Sequence, residues 1–203
     1  MKVTMKSILI LLGLITLPIL TIAQSNPENF IDDRAQEMVN VIRSNQSLYT
    51  SNPEQFKAKI NFIFEPMVDF RRVGASVMGK KYYKASTKDQ RLRFISAFKT
   101  SLLDTYSSTL AQWGDQTIDT HFSQKTVFFE TENVDQSLVA SNSIYPITYK
   151  VRDDGQGNWL IINIIVNGVN LGLTFRNQFQ ALALEHNENI DDIINHWSSD
   201  ANF

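Results

Sequence analysis

Residues 159–179 read WLIINIIVNGVNLGLTFRNQF. The first eight are apolar except Asn163, which predicts a strand spanning 158–167. Trp159, Ile161, Asn163, Ile165 and Asn167 alternate onto one face. Leu160, Ile162, Ile164 and Val166 fall on the other, and this all-aliphatic face is expected to pack under helices. Gly168-Val169 acts as a hinge, and the period then changes to that of a helix over 174–186. Upstream, Asp153-Asp154-Gly155-Gln156-Gly157-Asn158 reads as a hairpin turn. Its acids suggest a calcium loop only superficially, since the distal Glu of such loops is missing.

Working outward, the N-terminal half is helical. Asn26-Pro27 and Asn52-Pro53-Glu54 each give an N-cap followed by a proline at the first helical position. The first predicts a helix over 26–44 with Phe30, Ile31, Arg34, Met38, Val41 and Ile42 close to helical spacing. The second predicts a helix with Phe56, Ile60, Ile63, Phe64 and Met67 inward, bent or ended by Pro66. A short amphipathic stretch, 70–78, ends at Gly79. The longest helix is expected over 87–113, opened by a Thr87/Gln90 capping box. Its stripe is Leu92, Ile95, Phe98, Leu102, Leu103, Tyr106 and Leu110, with Phe94 beside it. From Thr117 the period is two, with strand pieces at 117–122, 125–132, 137–145 and 147–152. Pro146 is expected at an edge or a bulge. A last helix is expected over 189–197. Helices, then a meander, then helices is the pattern of an α+β domain.

Lys2 and Lys6, an apolar core over 8–17, Pro18 and the small residues Thr21 and Ala23 have the layout of a signal peptide, 1–23, cleaved after Ala23. The apolar stretch 7–23 is short for a membrane anchor. The mature domain is then 24–203. Overall, 19 basic residues face 21 acidic ones; loss of two lysines takes the net charge from −2 to −4, which argues against a general nucleic-acid binder. There is no cysteine, hence no disulfide framework, thiolate metal site or lipoprotein anchor. Charge is uneven: 71–99 holds nine bases and only Asp89, whereas 185–203 holds five acids and no base. Either a solvated helix face or a docking patch for an anionic surface fits. His121, His186 and His196 lack metal spacing, and no nucleophile elbow or phosphate loop is present. The 13 Phe, 6 Tyr and 3 Trp fit either an apolar pocket between a curved sheet and a long helix or an ordinary core.

Two blocks carry a family resemblance. The first, 69–113, contains Val77-Met78-Gly79, Lys81-Tyr82-Tyr83-Lys84, Ala85-Ser86-Thr87, Gln90-Arg91, Phe94, Phe98 and Tyr106. The second, 157–179, contains Gly157-x-Trp159, the apolar strand, Gly168-Val169-Asn170-Leu171 and Phe175-Arg176-x-x-Phe179. In this order and spacing they resemble the MlaC, or toluene-tolerance auxiliary, family of periplasmic phospholipid-binding proteins. Asn163, Asn167 and Asn170 stand where family members commonly carry Asp, Glu and Ser.

The resemblance implies an NTF2-like or cystatin-like curved antiparallel sheet packed on helices around an apolar pocket. It implies acyl chains inside, the headgroup near solvent, and no cofactor beyond the phospholipid cargo. It also implies two partners: an outer-membrane lipoprotein–porin complex and an inner-membrane ABC transporter complex with a membrane-anchored substrate-binding subunit. The pocket is expected to be walled by Val77, Met78, Phe94, Phe98, Leu102 and Tyr106, by Tyr149, Trp159, Ile161, Ile162 and Ile164, and by Leu171 and Phe175. The strand contributes from both faces because alternation does not say which one meets the ligand. Arg71, Arg72, Lys80, Lys81 and Lys84 are the expected docking bases. The rival readings are a small-molecule enzyme on an NTF2-like cone, with an acid and His121 acting on an apolar substrate, and an interaction module with a filled core.

Overall fold

The caps legible in the sequence start the helices. In the computed structural model, which describes residues 25–199, Asn26 Oδ1 accepts the Glu28 and Asn29 N–H groups at 2.7 and 3.3 Å. Helix α1 follows as Pro27–Ser51. Nothing between Ser44 and Pro53 breaks it, so it runs past the expected end, and Arg43 donates to the Gln116 carbonyl at 2.7 Å. Asn52 closes α1 through its N–H to Leu48 O at 2.8 Å. The same residue caps α2, Pro53–Met67, by accepting from Gln55 N at 3.2 Å. Pro66 falls in the last turn of α2 and ends it. The expected leader, 1–23, lies outside the described residues.

Helix α3, Phe70–Ala85, is two helical pieces joined at Gly79, whose φ of 71° and ψ of 164° only glycine adopts readily. The glycine therefore stops the first piece as expected, but Lys80 begins another turn at once. Helix α4, Lys88–Ala111, opens on the Thr87/Gln90 capping box, with reciprocal bonds of 3.1 and 2.9 Å. At 24 residues it is one shorter than α1, so it is not the longest helix. Its inward stripe is centred on Phe94 and Phe98, both fully buried, while Leu92 is 52% exposed.

Five antiparallel strands follow in the order β1-β2-β3-β4-β5: Thr117–Thr120, Thr131–Ala140, Ser143–Asp153, Trp159–Val166 and Val169–Asn170. Two of the expected strand bounds fail. Stretch 137–145 is not one strand: a reversal at Ser141-Asn142 divides it between β2 and β3, because period-two alternation passes unchanged through a two-residue turn. Stretch 125–132 is a strand only from Thr131; the rest is an irregular excursion. Two buried glutamates tie it down. Glu28 Oε2 accepts from Ser123 N, and Glu132 accepts from Phe129 N and Lys125 Nζ, all at 2.9 Å.

Pro146 sits inside β3, the middle strand of the sheet. Its carbonyl accepts from Asn167 N at 2.8 Å. N–H and C=O of one strand residue point the same way, so the missing donor faces the turn beyond Val166, where the ladder with β4 has already ended. A second irregularity matters more. Lys150 pairs with Asn163 and Val151 with Ile161, leaving Ile162 as the extra residue of a β-bulge. Alternation changes phase there. The face toward the helices is Trp159, Ile161, Ile164 and Val166, neither of the two sets read from strict alternation. Helices α5, Leu171–Glu185, and α6, Ile190–Asn195, complete the described chain.

Among the described residues three cores frame the interior, the smallest being Ile42, Phe56 and Ile60 of α1 and α2 against Leu103 and Leu110 of α4; the other two are larger. One lies among α3, α4, α5 and α6 and is aromatic: Phe94 meets Phe179 and Trp197 edge to face, with ring centroids 5.0 and 5.1 Å apart. The other lies between α1, α2 and the sheet, around Ile31, Ile63, Val134, Val151 and Trp159. The basic and acidic segments meet: Lys81 pairs with Glu188, and Arg93 with Asp191.

Burial alone would push the Glu132 carboxyl up, but the Phe129 N–H and the Lys125 ammonium outweigh it and hold the group below its ordinary 4.5. A carboxylate depressed in the folded state stabilises above its unfolded value and loses that contribution as pH falls through the folded one. Glu132→Gln should therefore cost about 1–3 kcal/mol at pH 7. The gap to wild type should close as pH falls through the lowered range of this carboxyl, read by urea unfolding at each pH.

Candidate functional site

A hollow of about 490 Å³ lies between the helices and the inner face of the sheet. Its floor is Ile118 of β1, Leu138 of β2, Ile147 and Tyr149 of β3, and Ile161, Ile164 and Val166 of β4. The register places Ile147 opposite Val166 and Tyr149 opposite Ile164, so cross-strand neighbours form one continuous apolar surface. Opposite stand Phe98, Leu102, Leu103, Tyr106 and Leu110 of α4. Helix α1 closes one side with Ile31, Ala35, Met38, Val39 and Ile42, α2 contributes Ile60, Phe64 and Met67, and α5 contributes Leu171 and Phe175. Helix α4 packs chiefly on α1, α2, α3 and α6, which holds its inner face off the strands.

Of the thirteen residues expected to wall a pocket, the structure brings eight to this hollow: Phe98, Leu102, Tyr106, Tyr149, Ile161, Ile164, Leu171 and Phe175. Five lie elsewhere. Val77, Met78 and Phe94 are sealed in the aromatic core. Trp159 is fully buried in the second core, with Nε1 donating to Ser25 O at 2.6 Å. Ile162 is the bulge residue, turned out of the sequence of inward side chains. Sequence reasoning missed the whole contribution of α1. Its apolar spacing was visible, but spacing does not separate a helix face against a void from one against a neighbour.

Polar groups in the wall are few. Tyr149 makes no hydrogen bond among the described residues, and burial pushes its hydroxyl up to about 12, so it stays a neutral donor. Arg34 is the one charged residue of the wall among the described residues. Asn163 is committed to the chain: Nδ2 donates to Asn170 Oδ1 at 3.1 Å, and Oδ1 accepts from Gly172 N at 3.0 Å. Asn170 in turn caps α5 by accepting from Leu173 N at 3.1 Å. The three asparagines therefore hold the link from β4 to α5, with Asn167 (φ 49°) and Gly168 (φ 82°) forming its left-handed turn.

His121 is exposed, its Nε2 is 3.0 Å from Ser137 Oγ, and it is outside the cavity wall. The acid-plus-His121 arrangement of the enzyme reading is therefore not assembled on this hollow. His186 and His196 stack on each other with centroids 4.2 Å apart. Among the described residues no three His, Cys, Asp or Glu side chains group to hold a metal ion, and no helix is long and apolar enough to cross a membrane.

Residues 32–199 match the family described as MlaC protein. The chain belongs to the MlaC family. It is 31% identical to the toluene tolerance protein ttg2D of Pseudomonas putida over 196 residues, 96% of this chain and 89% of that protein. It is 24% identical to the intermembrane phospholipid transport system binding protein MlaC of Haemophilus influenzae, covering 74% of this chain and 71% of that one. Among solved structures, the phospholipid-binding protein of Ralstonia solanacearum in complex with a phospholipid has the same fold. Its TM-score is 0.76 at 18% identity, over 84% of this chain and 94% of that one. The family resemblance and the α+β architecture read from the sequence both stand.

In this MlaC-family chain a Cβ at Gly172 would lie 2.5 Å from Asn163 Oδ1. Gly172→Ala should displace the carboxamide and cost about 1–3 kcal/mol. Adding Asn163→Ser should relieve the overlap. The double variant should then be less destabilised than the two singles together by at least ~0.5 kcal/mol, read from denaturant unfolding of all four proteins.

Proposed function

We propose that this protein is a periplasmic phospholipid carrier. It takes lipid between an outer-membrane lipoprotein–porin complex and an inner-membrane ABC transporter complex with a membrane-anchored lipid-binding subunit. The observation that carries the reading is the hollow itself: about 490 Å³ walled almost wholly by apolar side chains. Each methylene withdrawn from water is worth ~0.8 kcal/mol, so two acyl chains cannot cross an aqueous gap unaided at a useful rate. A protein that hides the chains can carry them with no covalent chemistry. Residues 1–23 are proposed to be the signal peptide that directs export, with the mature chain starting at Gln24.

At ~24 cal/mol per Å³, an apolar space of this size would cost at most about 12 kcal/mol if it stayed empty and sealed. That rivals the whole stability of a domain, ~5–15 kcal/mol. Protein prepared without detergent should therefore release phospholipid on organic extraction. Stripping it should lower Tm, and adding it back should restore Tm. Phe98→Asp and Ile164→Asp should each abolish retention, since an unpaired carboxylate would then face the chains. Protein that carries no lipid, and whose Tm is indifferent to added phospholipid, would refute the carrier reading in favour of an interaction module.

Docking is proposed for the basic surface of α3. Arg72 is 3.6 Å from Asp69, and Lys81 is paired with Glu188. Arg71, Lys80 and Lys84 are exposed and form no ion pair among the described residues; these three are the bases left to meet an acidic partner surface. Exposed charges act over ~8 Å at physiological salt. Association with the membrane complexes should slow as salt rises. A Lys80→Glu/Lys84→Glu variant should slow it about tenfold at low salt with its lipid content unchanged. Stopped-flow association at a series of salt concentrations checks both.

A further inference from the structure

Arg34 stands in an apolar stripe of α1, next to Ile31, Ala35 and Met38, all of which line the hollow. Its side chain is 40% exposed. A long side chain that lines the wall and is also part exposed can lay its stem on the wall and turn its guanidinium to solvent. Its one ion pair among the described residues joins Nη1 to Glu37 Oε2 at 2.6 Å, one turn on. A half-exposed pair of this kind contributes little, and it occupies one arm of a five-donor fork. No other charged side chain lines the hollow among the described residues. The unbonded Tyr149 hydroxyl on the floor is a further donor that an oxygen-bearing ligand would satisfy.

We propose that Arg34 is the anion-holding residue of this site: its guanidinium takes the phosphodiester of a lipid whose chains fill the hollow. The assignment rests on the carrier reading above and adds a headgroup subsite to it. A planar fork suits a phosphate better than an ammonium does. The position at the boundary of wall and solvent is where the phosphate of an amphiphile with buried chains must lie. Glu37 then competes with the phosphate for the fork.

The test loads lipid-depleted protein from vesicles containing equal amounts of phosphatidylglycerol and the diacylglycerol of the same chains, and counts bound lipid by native mass spectrometry. Wild type should prefer phosphatidylglycerol. Arg34→Gln should lower that preference about tenfold with diacylglycerol uptake and Tm unchanged. Arg34→Lys should fall between them, and Glu37→Gln should raise the preference. Millimolar inorganic phosphate should leave the preference intact; if it abolished the preference in wild type, the site would be one for free phosphate, and the lipid assignment would fall. Equal preference in wild type and Arg34→Gln, or loss of both lipids alike in Arg34→Gln, would overturn the role of Arg34 and leave the carrier reading standing. Wild type that takes up neither lipid would overturn both.

Discussion

Two apolar surfaces face each other across the interior, the inner side of α4 and the inner face of the sheet, and they are kept from closing on one another. Hydrophobic attraction alone would bring them together. The frame that resists includes two large packed cores at the margins and a smaller one joining α4 to α1 and α2. In one of the large cores, Phe94, Phe98, Phe175, Phe179 and Trp197 interlock among four helices. In the other, Trp159 and Val151 pack on Ile31 and Ile63. Phe98 belongs to both worlds: it stacks within the aromatic core and presents part of itself to the hollow. Such cores are close-packed and stiff, so the distance between α4 and the strands is set largely by packing outside the hollow, with Ile31, Phe98 and Phe175 shared between core and wall.

The set of side chains on the β4 part of the floor is fixed by a single extra residue. With Ile162 inserted opposite the Lys150–Val151 step, β4 bends and twists more strongly, and Ile164 and Val166 join Ile161 on the same side. A regular strand would have turned Ile165 inward and Ile164 and Val166 outward. The bulge also leaves Asn163 beside the start of α5, where its carboxamide ties Asn170 to Gly172. One irregularity therefore shapes the floor and anchors the helix that closes the end of the hollow.

Charge is managed by the same tertiary contacts. The base-rich stretch of α3 and α4 looks one-sided along the chain, yet Glu188 and Asp191 from the C-terminal segment fold back onto Lys81 and Arg93, and Glu65 reaches Lys99 at 2.7 Å. Among the described residues, the exposed bases of this stretch left without an ion pair are Arg71, Lys80 and Lys84 of α3 and Lys88 of α4. Linear charge counts therefore overstate the basic face, because Coulomb pairing follows distance in space and not in sequence.

The sequence by itself determined the elements whose cause is local. The Asn26, Asn52 and Thr87 caps, the glycine at 79, the Asp153–Asn158 turn and the helix-to-sheet change of period all act within a few residues, and each stands in the structure at its expected place. The two motif blocks likewise identified the family. Tertiary structure decided the rest. Whether a stripe faces a neighbour or a void depends on what the other elements do, so Val77, Met78 and Phe94 went to a sealed core while α1, read only as a helix, became a wall. The phase of β4 depended on pairing with β3, because a bulge is a property of two strands together and leaves no mark in the alternation of one. Arg34 was visible as a charge in an apolar stripe, but only the hollow beside it gives that charge a ligand to meet.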